Sequence, residues 1–311
     1  MALVAGFPAD SLAASSSTSH HHKLHHISHH SLGANHYSAL VVDASTGHVL
    51  YEKDAAAVRY PASLTKMMTL YLTFDAIKRG KLDMDDELVV SAKAASQPQT
   101  NIALEKGDRL PVKTAIESVV VRSANDSAMV LAEAIGHTEW DFALMMSQKA
   151  RELGMKNTVF HNPNGLPDNR QHTTAFDMAR LAIALRRDFP EYYPFFKLQS
   201  VTYKGVTYPG HNHVMERYPG ADGVKTGYIR ASGFNLVTSV QRDGYTLVAV
   251  IMGGNSAQSR DNQMINLLDR TFAQLESKKN LASIGQDDNE VSTEALETME
   301  NQQVAKLEPR G

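Results

Sequence analysis

Ser63 and Lys66 stand three residues apart in the stretch Pro61-Ala62-Ser63-Leu64-Thr65-Lys66. On a helix that spacing puts a hydroxyl and an amine on one face, one turn apart. A serine near a helix start also sits among free backbone N–H groups, at the positive end of the helix dipole, where a developing anion is favoured. Such a pair can be nucleophile and base. A chain of this composition holds about one Ser-x-x-Lys by chance, and a lone one is ordinarily a cap with a surface lysine. Two further short motifs follow in order, Ser123-Ala124-Asn125 and Lys225-Thr226-Gly227.

The elements that must position these residues are legible in the hydrophobic pattern. Met67, Leu70, Tyr71, Phe74 and Ile77 recur at three- and four-residue spacing, which predicts a helix from Ser63 to Ile77 with one apolar stripe. Pro61 lies just upstream and Gly80 stops it. Tyr37–Val42 and Gly47–Glu52 read as a hairpin, Asp83–Val90 as a short acidic and apolar segment, and Ser91–Asp108 as a loop. Pro111 opens a helix over Val112–Val121. Another spans Ser127–Ile135, capped by Asn125 or Asp126 and closed by Gly136. Ser123 and Asn125 then fall at a tight junction between helices, where side chains are presented rather than buried. Helices over Asp141–Leu153 and Thr174–Arg186 follow, the second capped by Thr173 or Thr174, with the turn-rich Phe160–Pro167 between them. Strands over Ser200–Tyr203, Val206–Tyr208, Gly223–Thr226, Phe234–Val240 and Tyr245–Met252 come next, then a helix over Arg260–Leu275. The opening hairpin cannot bury its face alone, so strands from both ends of the chain must pair. The expected fold class is α+β: one antiparallel sheet of roughly five strands, helices on it, and an inserted helical cluster.

Composition narrows the function classes. The chain has 311 residues, 42% hydrophobic and 21% charged, as a soluble globular protein has. A net charge of −3 gives no electrostatic case for nucleic acid. The absence of cysteine excludes disulfides, thiolate chemistry and Cys-based zinc sites. No apolar run reaches bilayer length, so no membrane anchor is visible. Residues 1–36 read as a Ser/His-rich tail. Its start, Met1–Ala14, is mildly apolar without a basic region, and reads as a signal remnant or as plain tail. The histidines His20, His21, His22, His25, His26, His29 and His30 lack the spacing of a closed zinc site, and no metal is assigned to them. A metal-binding protein built on that tract is the alternative from another class. Residues 37–278 read as the folded domain and 279–311 as a polar, disordered tail.

The ordered trio Ser-x-x-Lys, Ser-x-Asn and Lys-Thr-Gly is the motif set known in penicillin-binding proteins and β-lactamases. Val41-Val42-Asp43 before a glycine turn, Pro61 to Lys66, Asn162-Pro163-Asn164-Gly165-Leu166-Pro167 and Asp222-Gly223-Val224-Lys225-Thr226-Gly227-Tyr228 extend the likeness. With them the chain resembles the D-alanyl-D-alanine carboxypeptidases, low-molecular-mass penicillin-binding proteins of the serine DD-peptidase family, over about Tyr37 to Leu275. The resemblance implies a β-lactamase/DD-peptidase-like fold and a catalytic domain over 37–278. It implies periplasmic or secreted work, without a cofactor, on peptidoglycan stem peptides ending in D-Ala-D-Ala. It also implies covalent inhibition by β-lactams.

The same resemblance assigns roles. Ser63 attacks the carbonyl of the penultimate D-alanine and Lys66 takes its proton. Ser123 relays the proton to the leaving D-alanine, and Asn125 holds the substrate amide. Lys225 and Thr226 receive the terminal carboxylate, and Gly227 lets the substrate lie against the strand edge. The N–H groups of Ser63 and Tyr228 form the oxyanion hole. A free lysine is neutral at pH 7 in only about one molecule in two thousand. The site must therefore lower the Lys66 pKa by burial and by a second cation, a part Lys225 can take. Many relatives carry an arginine near the carboxylate site. Here that region reads His211-Asn212-His213, and Arg230 is the substitute on offer. Larger relatives also carry a β-rich C-terminal domain and an amphipathic anchor, for which 279–311 reads as too short and too polar. The nearest rival is a β-lactamase, which often uses a glutamate after Ser-x-Asn. Thr158–Asp168 contains none. A catalytically dead wall-binding protein is a third reading, against which the intact motifs speak.

Overall fold

A computed structural model describes residues 37–280. The Ser/His-rich tract with its signal-remnant reading, and nearly all of the polar C-terminal stretch, lie outside the described residues. β1 (Ser38–Asp43) and β2 (Val49–Lys53) form the expected opening hairpin. A 3-10 turn, Ala62–Thr65, leads into α1 (Lys66–Lys78). The predicted helix start at Ser63 is thus a tighter turn, in which the Lys66 N–H reaches back three residues to the Ser63 carbonyl. β3 (Glu87–Val89), α2 (Ala92–Ala95) and β4 (Arg109–Pro111) follow. The predicted loop over 91–108 therefore holds one helical turn, and β3 and β4 pair antiparallel across its two ends.

Four helices make the inserted cluster: α3 (Val112–Val121), α4 (Asn125–Gly136), α5 (Glu139–Glu152) and α6 (Ala175–Asp188). Thr174 caps α6 by accepting the Asp177 N–H. Asn125 and Asp126 do not cap α4; they lie inside its first turn, after Ala124. Burial explains this. The Asp126 carboxylate is taken by the N–H groups of Ile102 and Leu104, each at 3.1 Å, which pins residues 102–104 to the helix. A 3-10 segment (Tyr193–Lys197), the hairpin β5 (Ser200–Tyr203) and β6 (Val206–Pro209), and the short α7 (Val214–Arg217) lead back to the sheet. There β7 (Ala221–Ile229), β8 (Gly233–Arg242) and β9 (Tyr245–Gly254) run antiparallel, and a last helix, α8, covers 257–280.

The five-stranded sheet has the order β2-β1-β9-β8-β7. The N-terminal hairpin is stitched to the C-terminal strands through β1 and β9, with Ser38 opposite Met252 and Asp43 opposite Leu247. Alternate residues serve two cores. Leu40, Val42, Val248, Val250 and Met252 face the helical cluster, while Ala39, Val41, Leu247, Ala249 and Ile251 pack with Met264, Leu268 and Phe272 of α8. Because both faces are covered, these strands read as continuous apolar runs. α1 is the central helix. Every residue from Lys66 to Phe74 is buried, so the expected single stripe is in fact a helix buried on all sides, Thr69 and Thr73 included, and Lys66 is buried with it. No helix among the described residues is long and apolar enough to cross a membrane.

Candidate active site

The two serines sit at strained points of the backbone. Ala62, just before Ser63, has φ +49°, and Ser123, between α3 and α4, has φ +59°. A left-handed non-glycine residue costs about 1–2 kcal/mol and is held only where its surroundings over-determine it. The Thr100 hydroxyl donates to the Ser123 carbonyl at 2.9 Å, and the Asn125 N–H donates to the Thr100 carbonyl at 2.7 Å. A junction that local pattern makes a place of presented side chains is therefore covered: Ser123 is 5% exposed and Asn125 is 4% exposed. The Ser123 hydroxyl is buried without a hydrogen-bond partner among the described residues.

Lys66 is fully buried, and its amine has three polar neighbours: Asn164 carbonyl at 2.5 Å, Asn125 Oδ1 at 2.7 Å and Ser63 Oγ at 3.2 Å. The first two can only accept. A neutral amine gives its two hydrogens to them, which leaves its lone pair for the Ser63 O–H. The electrostatics favour that neutral form. Burial holds the Lys66 amine well below its ordinary pKa, the like charge of Lys225 adds to this, and Asp126 opposes it. Lys225 is itself pushed down to about 7, by burial first and then by Arg260.

β7 passes directly against the Ser63 turn. A Cβ on Gly227 would lie 3.0 Å from the Ser63 nitrogen and 3.1 Å from the Leu64 nitrogen, so only glycine lets strand and turn approach this closely. The Asn162–Pro167 loop closes the other side. Asn162 Oδ1 accepts the Gly165 and Leu166 N–H groups at 2.7 and 3.1 Å. Gly165, at φ +82°, sits so tightly that a Cβ would meet the Ala62 oxygen at 1.9 Å. From the sheet, Asn235 donates to the carbonyls of Tyr60 and Pro61 at 3.0 and 3.2 Å.

Ser63, Ser123, Asn125, Thr226, Gly227 and Tyr228 line one cleft of 560 Å³; the buried Lys66 amine meets it at Ser63 Oγ, and Lys225 lines a small pocket that shares His211 and Thr226 with the cleft. The structure thus brings all the sequence-predicted residues to one place. Sequence reasoning missed the Asn164 carbonyl, Asn235 and Arg260 as site residues. The first is a main-chain group, which no side-chain motif reveals. Arg260 is buried, pairs with Asp261 at 2.7 Å and donates to the Asn235 carbonyl at 3.1 Å. Beside Lys225 stands His211. Its ring bonds the Arg122 backbone, its Nε2 is buried without a partner among the described residues, and its pKa is pushed down to about 4 by burial and then by Lys225, Arg122 and His213. Arg230 lines the same cleft further along β7, in the turn that follows the strand. Ile229 is three residue steps along the strand from Thr226, about 10 Å at normal rise. Arg230 does not occupy the place by Lys225 that the missing arginine left open.

A nucleophile in the turn that opens a central helix, a base at that helix's first residue, and the β7 edge and the α3–α4 junction beside them define a serine acyl-transfer site on an α+β scaffold. The family described as D-alanyl-D-alanine carboxypeptidase matches residues 25–256, and the chain belongs to that family. It is 36% identical over 245 residues to the D-alanyl-D-alanine carboxypeptidase DacF of Bacillus subtilis, covering 77% of this chain and 63% of the relative. It is 33% identical over 238 residues to DacD of Escherichia coli, covering 74% and 61%. The match therefore spans under two thirds of these curated relatives' length. Among solved structures, penicillin binding protein 5 from Haemophilus influenzae superposes with a TM-score of 0.74 at 31% identity, covering 76% of this chain and 70% of that one. Penicillin-Binding Protein D2 from Listeria monocytogenes, solved with cefotaxime bound, gives 0.70 at 26% identity, covering 76% and 96%.

Proposed function

We propose that this protein is a serine-type D-Ala-D-Ala carboxypeptidase that removes the terminal D-alanine from peptidoglycan stem pentapeptides outside the cytoplasm, in the periplasm or after secretion. The observation that carries this is the hydrogen-bond set of Lys66, in which two pure acceptors leave one lone pair for Ser63. Lys66 takes the Ser63 proton as Oγ bonds to the carbonyl carbon of the penultimate D-alanine. The N–H groups of Ser63 and Tyr228 stabilise the oxyanion. On collapse the C–N bond breaks, D-alanine leaves as the amine with a proton passed through Ser123, and the acyl group stays on Ser63. Water then adds to the ester and frees both. Asn125 aligns the substrate amide, Lys225 and Thr226 hold the terminal carboxylate, and Gly227 lets the substrate extend the sheet edge. His211, beside Lys225, completes that end of the cleft.

β-Lactams imitate the D-Ala-D-Ala terminus, so Ser63 opens them with the same groups. Among the described residues, no Asp or Glu lines the cleft. Asp168, the acid of the loop after Ser-x-Asn, is taken by Arg170 at 2.7 Å. With the leaving group tethered and no carboxylate at hand to activate water, the penicilloyl adduct should persist. Two measurements test the reading together: D-alanine release from a pentapeptide, and intact mass after penicillin treatment. The expected result is release, one drug added at the Ser63 peptide, and loss of both in Ser63→Ala with native circular dichroism. Activity retained by Ser63→Ala would refute the assignment. Rapid hydrolysis of many penicillin molecules per protein would move the chain to the β-lactamases.

A further inference from the structure

The cleft is lined on the basic side only. Arg230, Arg260, His211 and His213 face it, and among the described residues no Asp or Glu does, although the whole chain carries a net charge of −3. Arg260 is already committed to Asp261 and the Asn235 carbonyl. Arg230 is exposed, and among the described residues it has neither an ion-pair nor a hydrogen-bond partner. Its place is fixed: the Ser232 N–H closes a tight turn onto the Ile229 carbonyl at 3.0 Å, and Arg230 is carried in that turn. Next to it Tyr228, 52% exposed, lies against Phe234 with ring centroids 4.3 Å apart, and Ile229, Leu166 and Pro167 continue this apolar floor.

Strand direction says which part of a substrate meets this corner. β7 is an edge strand of the sheet. On the function proposed above, on which this step rests, the terminal carboxylate lies at Lys225 and Thr226 and the reacting carbonyl at the Tyr228 N–H. A peptide paired antiparallel to β7 then sets each earlier residue one position further towards Ile229 and Arg230. The free guanidinium thus awaits an anion upstream of the scissile bond, at the far end of the cleft from the lysine that holds the terminus. We propose that Arg230 is a specificity residue that binds a second carboxylate of the substrate, upstream of the penultimate D-alanine. The stem peptide offers that chemistry from two sources: the free α-carboxylate of a γ-linked D-glutamate at its second position, and a side-chain carboxylate on a third residue such as diaminopimelate. For the latter, the aliphatic stem crosses the Tyr228–Phe234 platform.

The test compares kcat/KM for D-alanine release across four pentapeptides, with D-isoglutamate or D-isoglutamine at position two and diaminopimelate or lysine at position three. A charge-assisted hydrogen bond to an exposed arginine should favour the carboxylate-bearing member of one pair by about tenfold, mainly through KM. A preference at position two assigns the glutamate source, and one at position three assigns the side chain. Arg230→Gln should bring that ratio to near one, and Arg230→Lys should restore part of it. Release from all four peptides without preference, or a preference that survives in Arg230→Gln, overturns the proposal alone. Release from none of them by the wild-type protein overturns the carboxypeptidase reading, and this one with it.

Discussion

Two buried lysines with opposite duties meet at this site. Lys66 serves as a base only when neutral, and burial with Lys225 nearby lowers its pKa. Lys225 serves as an anion holder only when charged, and its own pKa is down at about 7. As pH falls through the lowered Lys66 value, the base is protonated and acylation is lost. As pH rises through about 7, free Lys225 loses its charge and carboxylate binding weakens. The kcat/KM profile should therefore be bell-shaped, with the alkaline fall carried by KM; its two apparent values belong to the coupled pair. Lys225→Gln removes the like charge, so the acid limb of penicillin acylation should move up by on the order of one pH unit. An acid limb that stays put, or moves down, would show that Lys225 does not act on Lys66.

At the scale of elements, the site is a meeting of backbones. The 3-10 turn at Ser63, the Asn162–Pro167 loop and the β7 edge touch through glycines that leave no space for a side chain. A methyl group on Gly165 collides with the Ala62 carbonyl, whereas one on Gly47, at a similar φ of +76°, meets nothing within 4 Å. Both substitutions carry left-handed strain of about 1–2 kcal/mol. Only Gly165→Ala should also push the loop off the turn and take the Asn164 carbonyl from Lys66. Its acylation rate by penicillin should drop by about a hundredfold, while Gly47→Ala should acylate at the wild-type rate. Equal rates in the two variants would mean that the loop does not position the base.

For the whole molecule, the decisive contact is between the ends of the described chain. β1 lies between β2 and β9, and Ala39, Leu40, Val41 and Val42 are divided between the two cores. Burial of such residues is worth about 1–3 kcal/mol each, and the sum rivals the roughly 5–15 kcal/mol that a domain has in total. A chain beginning at Tyr37 should melt cooperatively and release D-alanine as the full chain does. A chain beginning at Ala44 should show no cooperative melt by circular dichroism, since β9 loses β1 and keeps only β8 as a neighbour. Activity in the shorter chain would show that the β7–β9 ladder and the helices suffice alone.

The sequence determined the residues that can react, the helices and hairpins that carry them, and the pairing of strands from both ends. These depend on side-chain type and on periods of two and 3.6, which are local. The family resemblance of the three ordered motifs also implied that Ser63, Ser123 and Lys225 belong together. It did not determine how they meet. Local pattern makes α1 a striped helix, and the surrounding cluster makes it a buried one, which is what strips Lys66 of water. Asn125 has the side chain of a cap; packing places it inside α4, where its Oδ1 takes a Lys66 hydrogen at 2.7 Å. The pattern shows only the middle of β7, because its polar, glycine-bearing ends lack apolar alternation, and pairing with β8 extends it to nine residues. Arg230 and His211 are equivalent by spacing alone, since each could reach a carboxylate. Only the direction of β7 separates them, because a strand edge reads a peptide by distance along its length, and that distance exists only once the sheet has formed.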